Sequence, residues 1–342
     1  MKANFKKHTL QFTIPGGTSR GILKTKDSWI LKISDENISG YGEVSIIPGL
    51  SLDDSSQVEK VLETVCQEIE NGKNDFSERI EKFPSVYFAI EMAFKDFQSG
   101  GKGILFENDF SLGKSGIRMN GLVWMNPIDV MKKDAEKKIK QGFHCLKFKI
   151  GSYDFSDEFE LLKYFRNTYG DQLEIRVDAN GAYNEKNVFQ VMENLEELNI
   201  HSIEQPIKPK QYALMKRICL ECKVPVALDE ELIGIKISEM KNVLDEIKPA
   251  YLILKPSLLG GFQMSNLWLR LATERKIDWW ATSALESNVG LNAVAQWVAE
   301  FDLNLPQGLG TGSLYENNFH SPLEVRGENL WMNNQLKREI PF

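Results

Sequence analysis

Cysteine and histidine are scarce in this chain, and their scarcity narrows its chemistry. Four residues of each type among 342 leave little material for a disulfide framework, a thiolate metal site or histidine catalysis. The histidines are scattered without ligand spacing. Cys219 and Cys222 form a CxxC, but "MKRICLECKVP" reads as the end of an amphipathic helix, and no second pair completes a zinc site. Basic charge is also short: 41 Lys and Arg stand against 48 Asp and Glu, a net charge of −7. That balance excludes a nucleic-acid partner, which needs a basic face. No apolar run is long enough to cross a bilayer, so no membrane partner is expected. The opening "MKANFKKHTLQFTI" lacks the apolar core of a secretory signal, and a cytoplasmic chain with free thiols is expected.

What is present is ample apolar material, 42% of the residues, distributed in two different patterns. Early on, "LQFTI", "SWILKIS" and "GYGEVSI" are strand-like runs broken by Gly, Ser and Asp, as in an antiparallel sheet. Two helical patterns follow, "SSQVEKVLETVCQEIENG" and "PSVYFAIEMAFKDFQSG", each ended by glycine. From residue 118 onward, short apolar runs alternate with helix-length segments: "MNGLVW", "CLKFKI", "EIRVDAN", "SIEQP", "VPVALDE", "YLILKP", "DWWATSA" and "LGTGS". Strands alternating with helices imply βαβ units, and eight of them in this length suit a closed barrel. The expected architecture is α/β. An α+β capping domain over residues 1–110 precedes a modified TIM barrel, (β/α)7β, over residues 111–315. A segment over residues 316–342 returns to the cap.

A barrel keeps its chemistry at the C-terminal ends of its strands. There the second strand carries Lys147 and Lys149, two ammonium groups on one face of an otherwise apolar run. An edge strand with a solvated lysine face is the plain alternative. The third strand gives Arg176, Asp178 and Asn180 at steps of two. The fourth ends in Glu204, the fifth in Asp229 and Glu230, and the sixth in Lys255. Singly, each acid could be a helix cap. Jointly, Asp178, Glu204 and Asp229 from neighbouring strands require a hard cation, Mg²⁺ or Mn²⁺ in its place. A carboxylate substrate on that cation has an acidified α-proton. Lys149 is the expected base, Lys147 the like-charged neighbour that favours its neutral form, and Lys255 faces it from the opposite wall.

These residues carry a resemblance to the enolase superfamily, in its muconate-lactonizing subgroup. The K-x-K of Lys147 and Lys149, "DAN" at Asp178, "EQP" at Glu204, "LDE" at Asp229 and "KP" at Lys255 match in order. A Lys or His base working with Mg²⁺ is that superfamily's recorded chemistry. "YGEVSIIPGLS", "ALDEELIG", "SALESNVGLNAVAQW" and "GLGTGSLY" further resemble the family of o-succinylbenzoate synthases. That resemblance implies a Mg²⁺-dependent lyase of menaquinone biosynthesis acting on a small-molecule carboxylate. Lys149 would remove the α-proton and return it to the departing hydroxide, and Lys255 would stabilise the enediolate. "GLGTGS" carries no acid where the resembling dipeptide epimerases have Asp-x-Asp, which argues against a cationic amine in the substrate. An N-acylamino-acid racemase using the same two lysines is the alternative activity. A non-catalytic barrel would show broken ligand positions, and none is broken.

Supporting roles stay open between two readings. Arg176 either orients the metal cage or substrate, or forms a structural salt bridge. Ser283, Ser287 and the backbone at Gly310 either hold substrate carboxylates or serve turns and helix caps. Thr18, Ser19 and Arg20 either close over the site or simply turn the chain.

Overall fold

A computed structural model describes residues 1–18, 21–340 and 342, with the backbone alone for 15–18 and 22. The chain opens with an antiparallel sheet in sequence order: β1 (Lys2–Thr18), β2 (Gly21–Ser34) and β3 (Ser39–Ser45). Helices α1 (Val58–Glu70) and α2 (Pro84–Gln98) cover it. The contact of α2 with β3 explains the glycines of "SGYGEVS". A Cβ on Gly42 would stand 1.9 Å from the Ala89 carbonyl oxygen, and one on Gly40 2.2 Å from that of Ala93. Only glycine permits backbones so close. Pro84 starts α2, where a missing N–H is harmless. Asp53 accepts from the Ser85 and Val86 N–H groups at 3.1 and 3.2 Å.

After β4 (Ile117–Arg118) the alternation begins with β5 (Gly121–Val123), α3 (Ile128–Lys140), β6 (Cys145–Lys149) and α4 (Phe155–Tyr169). It continues through β7 (Glu174–Asp178), α5 (Val188–Glu197), β8 (Ser202–Glu204) and α6 (Tyr212–Glu221). Next come β9 (Val226–Leu228), α7 (Ile237–Ile247), β10 (Tyr251–Leu254), α8 (Pro256–Leu259) and α9 (Gly261–Glu274). β11 (Asp278–Ala281) and α10 (Asn288–Val298) complete the series. Strands β5 to β11 form one parallel sheet in chain order. β6 lies inside it between β5 and β7, which removes the edge-strand reading of its lysines.

The eighth position differs from expectation. The anticipated strand "LGTGS" is mostly a turn, and closure falls two residues earlier. Gln307 bridges Met119 and Gly308 bridges Thr282, both in parallel. The cause is Gln307, whose Oε1 accepts from the Ala281 N–H at 2.7 Å and ties the segment to β11. Seven parallel strands in chain order, closed through the bridges at Gln307 and Gly308, make a modified α/β barrel.

The C-terminal segment meets both parts of the molecule. Glu316 N–H donates to the Gln11 carbonyl at 2.9 Å and Arg338 pairs with Asp96, both partners lying in the cap. β12 (Leu323–Arg326) and β13 (Asn329–Met332) instead extend β4, just ahead of the first barrel strand. One apolar cluster runs from Val44 and Phe88 of the cap to Phe262 and Trp297 of the barrel. Cap and barrel therefore share a core.

Candidate active site

Strand register sets the centre of the site. Lys149 pairs with Asp178 across β6 and β7, and Asp178 with Glu204 across β7 and β8. Three functional side chains thus stand in one row at the strand ends. Asp229 follows β9, where its backbone N–H is fixed by the Gln205 Oε1 at 3.2 Å. The same oxygen accepts from Glu231 N–H at 3.1 Å, so the glutamine of "EQP" clamps the fifth strand end to the fourth.

The acids are almost wholly buried: Asp178 and Glu204 are 1% exposed and Asp229 2%. Each is held by a lysine. Lys147 Nζ lies 2.7 Å from Glu204 Oε2 and 3.1 Å from Asp178 Oδ2. Lys149 Nζ donates to Asp178 Oδ2 at 3.0 Å and to Asn180 Oδ1 at 2.6 Å. Lys255 bonds to Asp229 and stands 4.0 Å from Glu204 Oε1. Lys149 and Lys255 therefore reach the carboxylate layer from its two ends. Asn180 is itself anchored, donating to Glu230 Oε1 at 3.0 Å.

Burial and charge oppose each other here. Burial works to strip Lys147 of its proton, but Asp178 and Glu204 more than offset it and raise its affinity for that proton. Lys255 is raised for the same reason, chiefly by Asp229. Burial also drives the Asp178 carboxyl upward, yet the surrounding lysines hold it well below the usual carboxylate range. Burial lifts Glu204 to about 7, with the Asp178 charge adding to the effect. Lys147 thus remains an ammonium. Its own charge is shared out between two acids.

The donor set suits a hard divalent cation, being three carboxylates and no nitrogen or sulfur. Glu204 Oε1 is buried without a hydrogen-bond partner, which leaves it free to ligate. Among the described residues no three such groups already converge on one point. The lysine ammoniums supply the neutralising charge that a cation would take over.

The other predicted residues separate. Arg176 shares a face with Asp178 but turns toward the opposite end of the barrel. It pairs with Glu174 at 2.7 Å, donates to the Pro306 carbonyl at 2.9 Å and lies over Trp280. Those contacts fit the structural salt bridge of the two readings. Ser287 is the N-cap of α10, accepting from the Val289 N–H at 3.1 Å and donating to Glu43 at 2.5 Å. Its hydroxyl thus serves the helix cap, the second of the two roles open to it. Ser283 donates to Glu286 Oε2 at 2.6 Å and accepts from Thr311 at 2.8 Å, leaving its second lone pair. Gly310 borders open space, where an added Cβ would touch nothing within 4 Å. Ser19, Arg20 and the Thr18 side chain lie outside the described residues.

A buried polar network escaped the sequence reading. Glu43, from the cap, accepts from Ser28, Ser287 and Gly290, while Glu286 accepts from Ser257, Ser283 and Ala284. Lys26, 3% exposed, donates to Ser28 at 3.1 Å and lies close enough to feel both acids. The period-two alternation of β2 puts Lys26 and Ser28 on one face, which was the available signal.

Residues 130–334 match the family described as "Enolase C-terminal domain-like", and residues 17–97 match "MenC, N-terminal domain". The o-succinylbenzoate synthase of Desulfotalea psychrophila is 42% identical, over 96% of this chain and 98% of its own. The crystal structure of MenC from Desulfotalea psychrophila LSv54 superposes with a TM-score of 0.88 at 39% identity. The match covers 97% of this chain and 99% of that one. A dipeptide epimerase from Enterococcus faecalis V583, complexed with Mg and L-Leu-L-Tyr, gives a TM-score of 0.82 at 18% identity. It covers 98% of this chain and 96% of its own, and shares the fold alone.

Proposed function

The chain belongs to the enolase superfamily and, within it, to the o-succinylbenzoate synthases, which are carbon–oxygen lyases; from that premise we propose how its residues act. The reaction is syn elimination of water from 2-succinyl-6-hydroxy-2,4-cyclohexadiene-1-carboxylate, giving 2-succinylbenzoate for menaquinone biosynthesis. The observation that supports these roles is the approach of Lys149 and Lys255 to one row of acids from its two ends.

Asp178, Glu204 and Asp229 are the side chains that would hold Mg²⁺, which supplies Lewis acidity to the substrate carboxylate. Lys149, as the free amine, takes the proton from the carbon beside that carboxylate. The same nitrogen, now an ammonium, delivers the proton to the hydroxide leaving from the neighbouring carbon. One C–H and one C–O bond break, water departs and the ring becomes aromatic. Asn180 aims the Lys149 nitrogen through its 2.6 Å contact. Lys255 keeps its proton and places a positive charge beside the enediolate.

An ultraviolet assay for the aromatic product, run with Mg²⁺ and with EDTA, tests this reading. Product should form with Mg²⁺ and cease with EDTA; no product under either condition refutes it. Two opposed lysines are also what a racemase requires. Exchange of the α-hydrogen of N-succinyl amino acids in deuterated solvent would reveal that second activity, and elimination alone predicts none.

A further inference from the structure

A cavity of about 530 Å³ opens between the cap and the barrel. Its inner wall includes Asn180, the residue bonded to Lys149, and its rim carries Lys208 and Lys210. Both lysines are exposed, and among the described residues neither ammonium has a carboxylate within 4.0 Å or a hydrogen-bond partner.

The loop that presents them is built rather than loose. Gly181 N–H donates to the Gln205 carbonyl at 2.7 Å, and Ile207 bridges Ala182 and Tyr183. Gly181 packs so tightly on this loop that a Cβ there would meet the Lys208 Cα at 3.1 Å. Lys210 is held with φ at 69°, a conformation lysine seldom adopts, and its N–H is bound by the buried Glu231. The backbone that carries these two cations is thus fixed at the mouth, and Glu231 is a carboxylate that feels the Lys210 charge.

The surrounding charge makes that arrangement consequential. The chain carries a net charge of −7, and the floor of the site holds Asp178, Glu204 and Asp229. A substrate with two carboxylates would be repelled on approach unless positive charge met it at the entrance. We propose that Lys208 and Lys210 form an anion-capturing rim, which draws the dianionic substrate into the cavity and takes no part in the elimination. The proposal rests on the function assigned above for the identity of its ligand.

The test is the double variant Lys208→Ala/Lys210→Ala in full-length enzyme, assayed between low and high ionic strength. At low salt kcat/KM should fall about tenfold while kcat is unchanged, and its dependence on salt should flatten. Lys208→Arg/Lys210→Arg should restore both. An unchanged kcat/KM and salt slope, or a parallel loss of kcat, overturns the proposal. Calorimetric titration with 2-succinylbenzoate separates the two ideas. Wild type that binds this dianion but does not form it contradicts the assigned reaction, and equal affinity in wild type and variant contradicts the rim.

Discussion

Lys147 and Glu204 form a buried ion pair 2.7 Å long that reaches across β7, from the second barrel strand to the fourth. The contact fills the position between Asp178 and Glu204 with a permanent positive charge. Without it the two acids would face each other in a dry interior.

Lys147→Met should therefore destabilise the metal-free protein strongly, by about 3–5 kcal/mol, because it leaves buried carboxylate charge uncompensated. Saturating Mg²⁺ should recover part of that loss. Thermal unfolding in EDTA and in Mg²⁺ checks it, and an equal shift under both conditions would separate Lys147 from the metal layer.

Lys149→Ala should reduce turnover by about 10²-fold or more, the usual contribution of a positioned base. Mg²⁺ binding, measured by calorimetry, should persist, since Asp178 keeps Lys147 as a partner. Near-normal turnover would remove Lys149 from the role of base.

Stability should fall as pH rises toward neutrality. Burial pushes the carboxyls of Asp53 and Glu91 up to about 7 despite their backbone hydrogen bonds. In the unfolded chain both titrate near 4, so between about 4 and 7 the folded state binds more protons. Their contribution is complete below pH 4 and lost as pH passes 7. Urea unfolding from pH 5 to pH 8 should show this decline. Asp53→Asn combined with Glu91→Gln should make it shallower, the remainder coming from groups such as Glu204, and an unchanged slope would assign the whole decline to those other groups.

Arg176→Met should lower thermal stability, because Glu174 and the Pro306 carbonyl lose their partner. KM for the substrate should stay within about twofold, since the guanidinium touches no residue of the carboxylate row. A large rise in KM with intact stability would favour the substrate-orienting role.

Much of this molecule can be read without coordinates. Alternation of strand and helix gave the barrel, and the acids at successive strand ends could be grouped together, because parallel strands place their C-terminal ends at one mouth. Steps of two correctly put Lys147 with Lys149, and Asp178 with Arg176, on the inward face. The eighth strand was harder to place, because glycines in "LGTGS" carry no side-chain pattern and closure depended on Gln307.

What periodicity cannot supply is depth and partnership. Arg176 and Asp178 share a face, yet one long side chain reaches down to Glu174 while the other stays level with Lys149. Ser283 and Ser287 differ for a similar reason: only the docking of the cap brings Glu43 onto the N-terminus of α10 and consumes Ser287. Local sequence thus determined which residues face inward, since backbone geometry repeats every two residues along a strand. Tertiary structure alone decided which of them meet, because those distances depend on segments separated by anything from 26 residues, as for Lys255 and Asp229, to 244, as for Ser287 and Glu43.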